Sequence, residues 1–190
     1  MSDLSHIASR YPRHVTLSGG RAAELRLMTP ADAAAVLAFA GTLPPEEVMY
    51  LAVNFTEPAV VRHWLETIKS GRAMTVLARI GDEVVGEGTL LHNVTTWTRH
   101  LGEIRIQVAP AARRDGLGRV LADELEAIAK GLGLQMLTAR MILDQVAAQS
   151  VFKRLGFQRE AVLWDYAMTP DGETRTVVVA TKILEDETRG

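Results

Sequence analysis

The sequence contains no cysteine, and this absence removes several kinds of chemistry at once. Without cysteine there is no disulfide framework, no thiolate nucleophile and no zinc site built from cysteine. Proteins without disulfides are typical of reducing compartments. We therefore expect a cytoplasmic location.

The sequence also lacks a long hydrophobic run. Its longest apolar stretch covers residues 33–40, which is too short to cross a bilayer. Charged residues, among them Arg10 and Arg13, are scattered through the first twenty residues, unlike the apolar centre of a signal peptide. These features predict neither export nor insertion into a membrane.

An excess of charge of either sign is missing as well. The chain has 21 Lys and Arg residues against 23 Asp and Glu residues, which gives a formal net charge of -2. Because no bulk positive field exists to attract a phosphate backbone, nucleic acid is not expected as a partner. No spacing of potential ligands suggests a metal site, so we expect no metal.

The length and composition are sufficient for one folded domain. The 190 residues are 47% hydrophobic and 23% charged, the balance of an ordinary globular protein. Residues 1–20 show no sustained periodicity and are predicted to form an N-terminal tail, followed by the domain at 21–190.

Hydrophobic periodicity and turn signals divide that domain into alternating elements. Helices are predicted over residues 30–41, after Pro45, and over 57–69, 117–130 and 146–155. Strands are predicted over residues 24–28, 73–80, 83–92, 102–108 and 135–143, with a final pair joined by 170–172. The order predicts a mixed α/β domain in which the three strands over residues 73–108 form an antiparallel meander.

The segment between the strand at 102–108 and the following helix carries the strongest functional signal. It reads Val108-Ala109-Pro110-Ala111-Ala112-Arg113-Arg114-Asp115-Gly116-Leu117-Gly118. Backbone N–H groups at a helix start have no acceptor within the helix, and the helix dipole favours negative charge there. Gly116 and Gly118 leave room for an oxyanion, while Arg113 and Arg114 offer charged donors. The loop predicts a phosphate-bearing ligand, with a tight turn and solvated arginines as the alternative.

The order of elements around this loop resembles a known family. A strand, Arg-x-x-Gly-x-Gly, a helix, a strand, a helix and then Gly156-Phe157 resemble the acetyl-coenzyme A binding core of the GNAT superfamily of N-acyltransferases. The resemblance covers roughly residues 24–184 and is strongest over 103–157. It implies the GNAT fold, a single α/β (α+β mixed) domain with a central, mostly antiparallel, splayed sheet flanked by helices. It also implies that the co-substrate is an acyl-coenzyme A, namely acetyl-coenzyme A, and that the acceptor is an amine.

The resemblance further implies which residues bind the co-substrate. The N–H groups of residues 113–118 would hold the pyrophosphate, and residues 108–110 would pair with the pantetheine arm like an added strand. A backbone N–H there would stabilise the oxyanion. The implied set is Val108, Ala109, Pro110, Arg113, Arg114, Asp115, Gly116, Leu117, Gly118, Arg119, Gln145 and Phe152.

Two members of that set depart from the family pattern. Gln145 stands where many members have an Asn that contacts pantetheine, and its amide can make similar bonds. Phe152 stands where many have a Tyr that protonates the departing thiolate. Phenylalanine cannot donate a proton, so solvent or another group would serve, or no dedicated acid is needed. The alternative for both residues is helix packing.

Glu103 is the candidate general base. An amine must lose a proton before or during acylation, and a carboxylate can accept it. Alternation along residues 103–108 predicts that Glu103, Arg105 and Gln107 share one face of the strand. The alternative is a solvated Glu103 that pairs with Arg105. His92 and His100 flank the preceding loop and are further possible bases, whereas Trp97 would shape the acceptor site.

A second resemblance concerns the acceptor. Residues 103–118 and the stretch from Pro30 to Tyr50 look like the catalytic domain of Pat-type bacterial protein lysine acetyltransferases, in which a Glu at the position of Glu103 acts as general base. Arg105 departs from the small residue usual in those proteins. The resemblance implies a protein lysine as the acceptor.

Two alternatives stay open at the level of sequence. One is an enzyme of the same fold that acts on a small amine, such as an amino acid, polyamine or antibiotic, with a deep pocket closed by residues 44–56. The other is a non-catalytic acyl-coenzyme A sensor, which would bind ligand without turnover. The sequence does not specify the acyl chain or the oligomeric state.

Overall fold

The computed structural model describes residues 5–48, 58–93, 95–169 and 171–184, without the side chains of residues 45, 46 and 58. The α-helices are α1 (Ser5–Ala8), α2 (Ala33–Ala40), α3 (Pro45–Val48), α4 (Pro58–Lys69), α5 (Leu117–Gly131) and α6 (Val146–Arg154). The strands are β1 (Arg13–Thr16), β2 (Ala22–Leu27), β3 (Ala73–Ile80), β4 (Glu83–His92), β5 (Leu101–Val108), β6 (Met136–Ile142), β7 (Gln158–Met168) and β8 (Thr174–Ile183).

The strands form one eight-stranded sheet in the order β1-β2-β3-β4-β5-β6-β8-β7. Neighbouring strands are antiparallel except β5 and β6, which are parallel. This parallel pair is joined only where residues 101–103 face residues 136–138. Beyond Glu103 the two strands separate, and the sheet is splayed at its centre. The predicted mixed α/β fold is confirmed.

Helix α5 covers one face of the sheet. Its apolar face, with Leu117, Leu121 and Leu125, lies in the larger hydrophobic cluster against β3, β4 and β5. Glycine permits the close approach, since a Cβ at Gly86 would lie 3.0 Å from a methyl carbon of Leu117. A Cβ at Gly88 would likewise lie 3.2 Å from Leu125. The helix therefore rests almost directly on the backbone of β4, and its first turn is fixed beside the end of β5.

Helices α2 and α4 cover part of the opposite face. Phe39 of α2 and Trp64 of α4 are buried in a second cluster that includes Leu77 of β3. The start of the α2 segment is fixed at Thr29, whose N–H donates to Asp32 Oδ2 at 2.8 Å. Residues 30–32 form a 3₁₀ turn before α2, so the predicted helix at 30–41 begins as a tighter turn.

The N-terminal residues differ from the predicted tail. From Ser5 onward they form α1 and the edge strand β1, and Ile7 is buried in the main cluster. Their anchor is Glu124 of α5, which is 1% exposed. It accepts hydrogen bonds from Tyr11 (2.9 Å), Arg10 (3.2 Å) and Arg13. Residues 5–20 are thus part of the folded domain, because a buried carboxylate on another element holds them.

In the ranges that the structure describes, no helix is long and apolar enough to cross a bilayer. The same ranges hold no group of three or more His, Cys, Asp or Glu side chains arranged to bind a metal ion.

Candidate functional site

The separation of β5 from β6 creates a cleft at the centre of the sheet. The whole of β5 pairs with β4 on one side, but only its first three residues pair with β6 on the other. The edge of residues 104–108 that faces β6 is therefore available to an added extended segment. This edge leads directly into the predicted phosphate loop.

The loop between β5 and α5 has the backbone of an anion site. Gly116 precedes α5 with a φ of 80°, a left-handed conformation that favours glycine. Arg114 also has a positive φ, of 68°. The first N–H groups of α5 have no acceptor within the helix and lie at its positive end. These features fit the pyrophosphate of acetyl-coenzyme A.

The side chains of the loop serve mainly to fix its shape. Arg113 Nε donates to the carbonyl of Val108 at 3.0 Å, and Arg113 Nη2 lies 2.6 Å from Glu47 Oε2. Asp115 accepts from Arg21 Nε at 2.6 Å, and its carbonyl accepts from the N–H of Ser18 at 3.0 Å. Arg113 and Asp115 therefore hold the loop. The N–H of Arg113 donates to the carbonyl of Pro110 at 3.3 Å, and phosphate binding by the N–H groups that follow stays a prediction.

The remaining predicted loop residues occupy distinct environments. Ala109 and Leu117 are buried, with Leu117 in the core under α5, whereas Pro110 and Arg114 are exposed. Arg119 is largely exposed beside Asp123. Val108 is half-buried against the core, and a Cβ at Gly118 would be 4.0 Å from it. The cofactor role of each stays a prediction.

Glu103 lies at the end of the paired part of β5, where the cleft begins. Its Oε1 accepts from Arg105 Nε at 3.0 Å and from Arg105 Nη2 at 2.8 Å. Its Oε2 lies 3.7 Å from Arg140 Nη2 on β6. The pairing with Arg105 that the sequence suggested is therefore present. Oε2 has the longer contact of the two oxygens.

His92 is placed away from this carboxylate. It lies opposite Gly102 in the register of β4 and β5, one residue out of phase with Glu103, so the two side chains point to opposite faces. Burial lowers the pKa of His92. His100 and Trp97 are exposed in the loop before β5, with Trp97 89% exposed. His92 is therefore not on the face that Glu103 shares with Arg105.

The other two predicted cofactor residues are Gln145, which directly precedes α6, and Phe152 within it. The side-chain Oε1 of Gln145 accepts from the N–H of Ile142 at 3.0 Å, so its amide caps its own turn. Phe152 is 9% exposed and packs edge-to-face on Phe157 with ring centroids 5.1 Å apart. Both contacts match the packing alternative. Phe152 also borders a cavity of about 630 Å³ between α6 and the last hairpin.

A buried carboxyl group that the sequence reading did not single out lies next to this site. Glu87 of β4 is 3% exposed, and its Oε2 accepts from the Thr89 hydroxyl at 2.8 Å. Burial raises the pKa of Glu87 to about 7, although the Thr89 hydrogen bond and the charge of Arg105 act to lower it. The sequence contained one signal for this residue: an acidic side chain between Gly86 and Gly88, in the middle of a strand that was predicted to lie between two other strands.

Comparisons with known proteins agree with this geometry. The model of the acetyltransferase (GNAT) family matches residues 43–157. No curated protein matches the chain at a significant level.

Several solved structures share the fold. The GNAT domain of S. lividans PAT is 19% identical, with a TM-score of 0.72 over 90% of this chain and 96% of that one. Ribosomal-protein-alanine N-acetyltransferase from Brucella melitensis is 25% identical, with a TM-score of 0.72 over 84% and 99%. The Salmonella typhimurium protein yncA, solved with its cofactor acetyl-coenzyme A, is 18% identical, with a TM-score of 0.71 over 87% and 96%.

The splayed sheet, the glycine-containing loop at the start of α5 and the family match lead to one assignment. The chain belongs to the GNAT acetyltransferase family, whose members transfer acetyl from acetyl-coenzyme A to an amine.

Proposed function

We propose that this acetyltransferase modifies the side-chain amine of a protein lysine, with Glu103 as the general base. Acetyl-coenzyme A supplies the activated acyl group. Glu103 accepts the proton that the amine loses as its C–N bond forms and the thioester C–S bond breaks. Backbone N–H groups on the free edge of β5 stabilise the negative charge on the carbonyl oxygen. The departing thiolate takes its proton from solvent, since Phe152 has none to give.

The position of Glu103 at the border of the covered sheet supports a protein acceptor. Strands β3 and β4 carry α2 and α4 on this face. On the cleft side, Arg140 of β6 is half exposed, and Val179 and Ala161 continue the same row across β8 and β7 with partial exposure. A partly exposed, partly apolar surface next to Glu103 suits a side chain presented by a folded protein.

Exposed apolar side chains strengthen this proposal. Trp164, Tyr166 and Met168 of β7 are 74%, 59% and 73% exposed, and Trp97 lies in the loop before β5. Aromatic residues and Met are enriched in protein interfaces. One neighbouring structure is named a ribosomal-protein-alanine N-acetyltransferase, which supports a protein acceptor although its name specifies alanine and not lysine. The segment expected to close a small-molecule pocket reaches residue 56, and its part from residue 49 lies outside the described residues.

A small amine that carries an acidic group is the second candidate. Arg105 and Arg140 place two guanidinium groups on either side of one carboxylate, which leaves a net positive charge at the acceptor side. Such a charge would attract the carboxylate of an amino acid. A neighbouring structure with 20% identity is described as a phosphinothricin N-acetyltransferase.

The test is transfer of radiolabel from acetyl-coenzyme A to a soluble lysate of the source cell and, in parallel, to the free amino acids. Wild type is compared with Glu103→Gln and with the control Glu83→Gln, which changes an exposed residue at the start of β4. We expect discrete labelled proteins with wild type and the control, and a loss of about 100-fold or more with Glu103→Gln, the range for a general base.

Each other outcome selects a different conclusion. Label in an amino acid but not in protein would support the second candidate. Equal labelling by wild type and Glu103→Gln would remove Glu103 from the mechanism. Binding of acetyl-coenzyme A without transfer to either pool would point to the sensor.

A further inference from the structure

Glu87 and Glu103 lie on the same face of the sheet and on either side of one guanidinium. In the register of β4 and β5, Glu87 is opposite Gln107, Thr89 is opposite Arg105, and Leu91 is opposite Glu103. Side chains at alternate positions share a face, so these six side chains form three cross-strand pairs on one face. Arg105 belongs to the middle pair. It binds Glu103 directly and also exerts its charge on Glu87.

A chain of hydrogen bonds holds Glu87 from the other side. Trp64 Nε1 lies 3.3 Å from Thr75 Oγ1, Thr75 Oγ1 lies 2.9 Å from Thr89 Oγ1, and the Thr89 hydroxyl donates to Glu87. The indole N–H can only donate, so the direction that satisfies every group runs from Trp64 towards the carboxyl. This chain favours the ionised form of a group that burial keeps neutral.

Among the described residues, the strands and helices next to Glu87 bring few charged groups near it. From β5 it faces Gln107 and Arg105, and from β3 it faces Leu77. Helix α2, Ala33–Ala40, is uncharged, and α4 contributes Trp64 through the chain. Beyond Leu77 the same row reaches Arg26, which is already bound to Asp32 and close to Glu24. Arg105 is therefore the cation through which Glu87 communicates with the site.

We propose that Glu87 is a positioning residue for acetyl transfer, a buried second carboxyl group that shares Arg105 with Glu103 and whose ionisation governs how readily Glu103 accepts a proton. This inference rests on the proposed role of Glu103 as base. When Glu87 is neutral, only the Glu103 carboxylate offsets the positive charge of Arg105, and Arg105 binds Glu103 strongly. When Glu87 is ionised, it offsets part of the Arg105 charge, and Glu103 becomes the better proton acceptor.

The pH dependence follows from the raised pKa of Glu87, about 7. Below this pH Glu87 is neutral and transfer is slow. As the pH rises through about 7, the group ionises and the transfer rate increases, in addition to the increase from deprotonation of the acceptor amine itself. An isosteric amide at position 87 cannot ionise, but it keeps an oxygen for the Thr89 hydroxyl.

The direct test is a carbon-13 NMR titration of the glutamate carboxyl groups, which needs no acceptor. Because a shared cation couples the two carboxyl groups, Glu103→Gln frees Arg105 for Glu87 and lowers the Glu87 midpoint by about half a unit or more. Arg105→Gln raises the midpoint. The control Glu66→Gln, on the exposed side of α4, leaves it unchanged. A Glu87 midpoint that is the same in Glu103→Gln and wild type overturns the inference.

The second test is the initial rate of protein labelling by acetyl-coenzyme A in lysate between pH 5.5 and 9. We expect Glu87→Gln to match wild type at the acid end, to lose the inflection near pH 7 and to be about fivefold slower at pH 8.5. Thr89→Val removes the donor that lowers the Glu87 pKa, so its inflection moves to higher pH. A loss by the same factor at every pH would mean a merely structural role and would overturn the inference.

Failure of the inference is separate from failure of the proposed function. Equal labelling by wild type and Glu103→Gln removes the base itself, whatever Glu87 does. Lost labelling in Glu103→Gln, combined with an unchanged Glu87 titration in that variant, overturns the inference alone.

Discussion

Arg21 and Asp115 join two segments that are far apart in the chain. Arg21, between β1 and β2, donates from Nε to Asp115 Oδ2 at 2.6 Å, and its Nη2 donates to the carbonyl of Ala111 at 3.2 Å. A residue of the first hairpin thus holds both ends of the loop that precedes α5. The N-terminal hairpin therefore supports the loop that we predict to bind the co-substrate.

Removing this support is expected to weaken co-substrate binding. In Arg21→Ala, the loop loses two contacts and must be ordered by the ligand itself, so we expect the KM for acetyl-coenzyme A to rise about tenfold with little change in kcat. Steady-state kinetics measure both constants. The control Arg62→Ala removes an exposed arginine of α4. A fall in kcat at constant KM would contradict this role.

The two loop glycines are expected to behave differently. Gly116 has a positive φ, and an added Cβ would lie 3.3 Å from Ser18 Oγ, whereas Gly118 is in the helix, where an added Cβ would make an ordinary contact with Val108 at 4.0 Å. Gly116→Ala should therefore lower the free energy of unfolding by about 1 kcal/mol and also weaken binding. Gly118→Ala should not lower the free energy of unfolding, because alanine favours a helix over glycine, and should weaken only the affinity for acetyl-coenzyme A. Urea unfolding and ligand titration separate these effects, and equal stabilities of the two variants would argue against strain at Gly116.

Glu124 is expected to determine whether the N-terminal segment stays attached. Its carboxylate is buried and accepts from Arg10, Tyr11 and Arg13, so Glu124→Gln loses charge-assisted bonds and costs about 2 kcal/mol in the free energy of unfolding. Proteolysis should also reach residues 5–20 sooner. Glu66→Gln breaks an exposed pair with Lys69 and should cost about 0.5 kcal/mol or less. Similar losses in both variants would show that Glu124 is no anchor.

The stability of the protein is expected to depend on the charge of Glu87. Because its pKa is about 7 when folded and 4.5 in a model compound, the unfolded chain ionises first, and stability is lost as the pH rises from about 4.5 to 7. Glu87→Gln cannot lose stability in this way. Relative to wild type, the variant should gain on the order of 3 kcal/mol between pH 4.5 and 7.5. Urea unfolding at three pH values measures the difference, and a gap that does not vary with pH would contradict it.

Local sequence signals predicted the elements whose ends or apolar faces are marked by nearby residues. The bounds of β3 and β4 agree with the prediction because Gly81 and Asp82 mark the turn, and α5 agrees because its apolar face is regular. The short elements α1 and β1 were missed, since they depend on Glu124, more than a hundred residues away. Met49 and Tyr50, which belong to the stretch that carries the second family resemblance, lie outside the described part of the chain.

The candidate site was only partly accessible to sequence reasoning. Alternation placed Glu103 and Arg105 on one face, and the structure confirms their pairing. Glu87 was missed because its importance comes from burial under α2 and from Arg105 on the next strand, which periodicity within one strand does not reveal. The structural roles of Arg113 and Asp115 depend in the same way on Glu47 and Arg21.

The short parallel contact between β5 and β6 has a mechanical consequence. The sheet has two parts, β1-β2-β3-β4-β5 and β6-β8-β7, and three residue pairs at one end of the cleft join them. An extended arm of acetyl-coenzyme A that pairs with residues 104–108 would complete the hydrogen bonding of β5 and would also set the distance between the two parts. The protein with bound acetyl-coenzyme A would then unfold as one cooperative unit, and amide exchange would slow in both parts of the sheet.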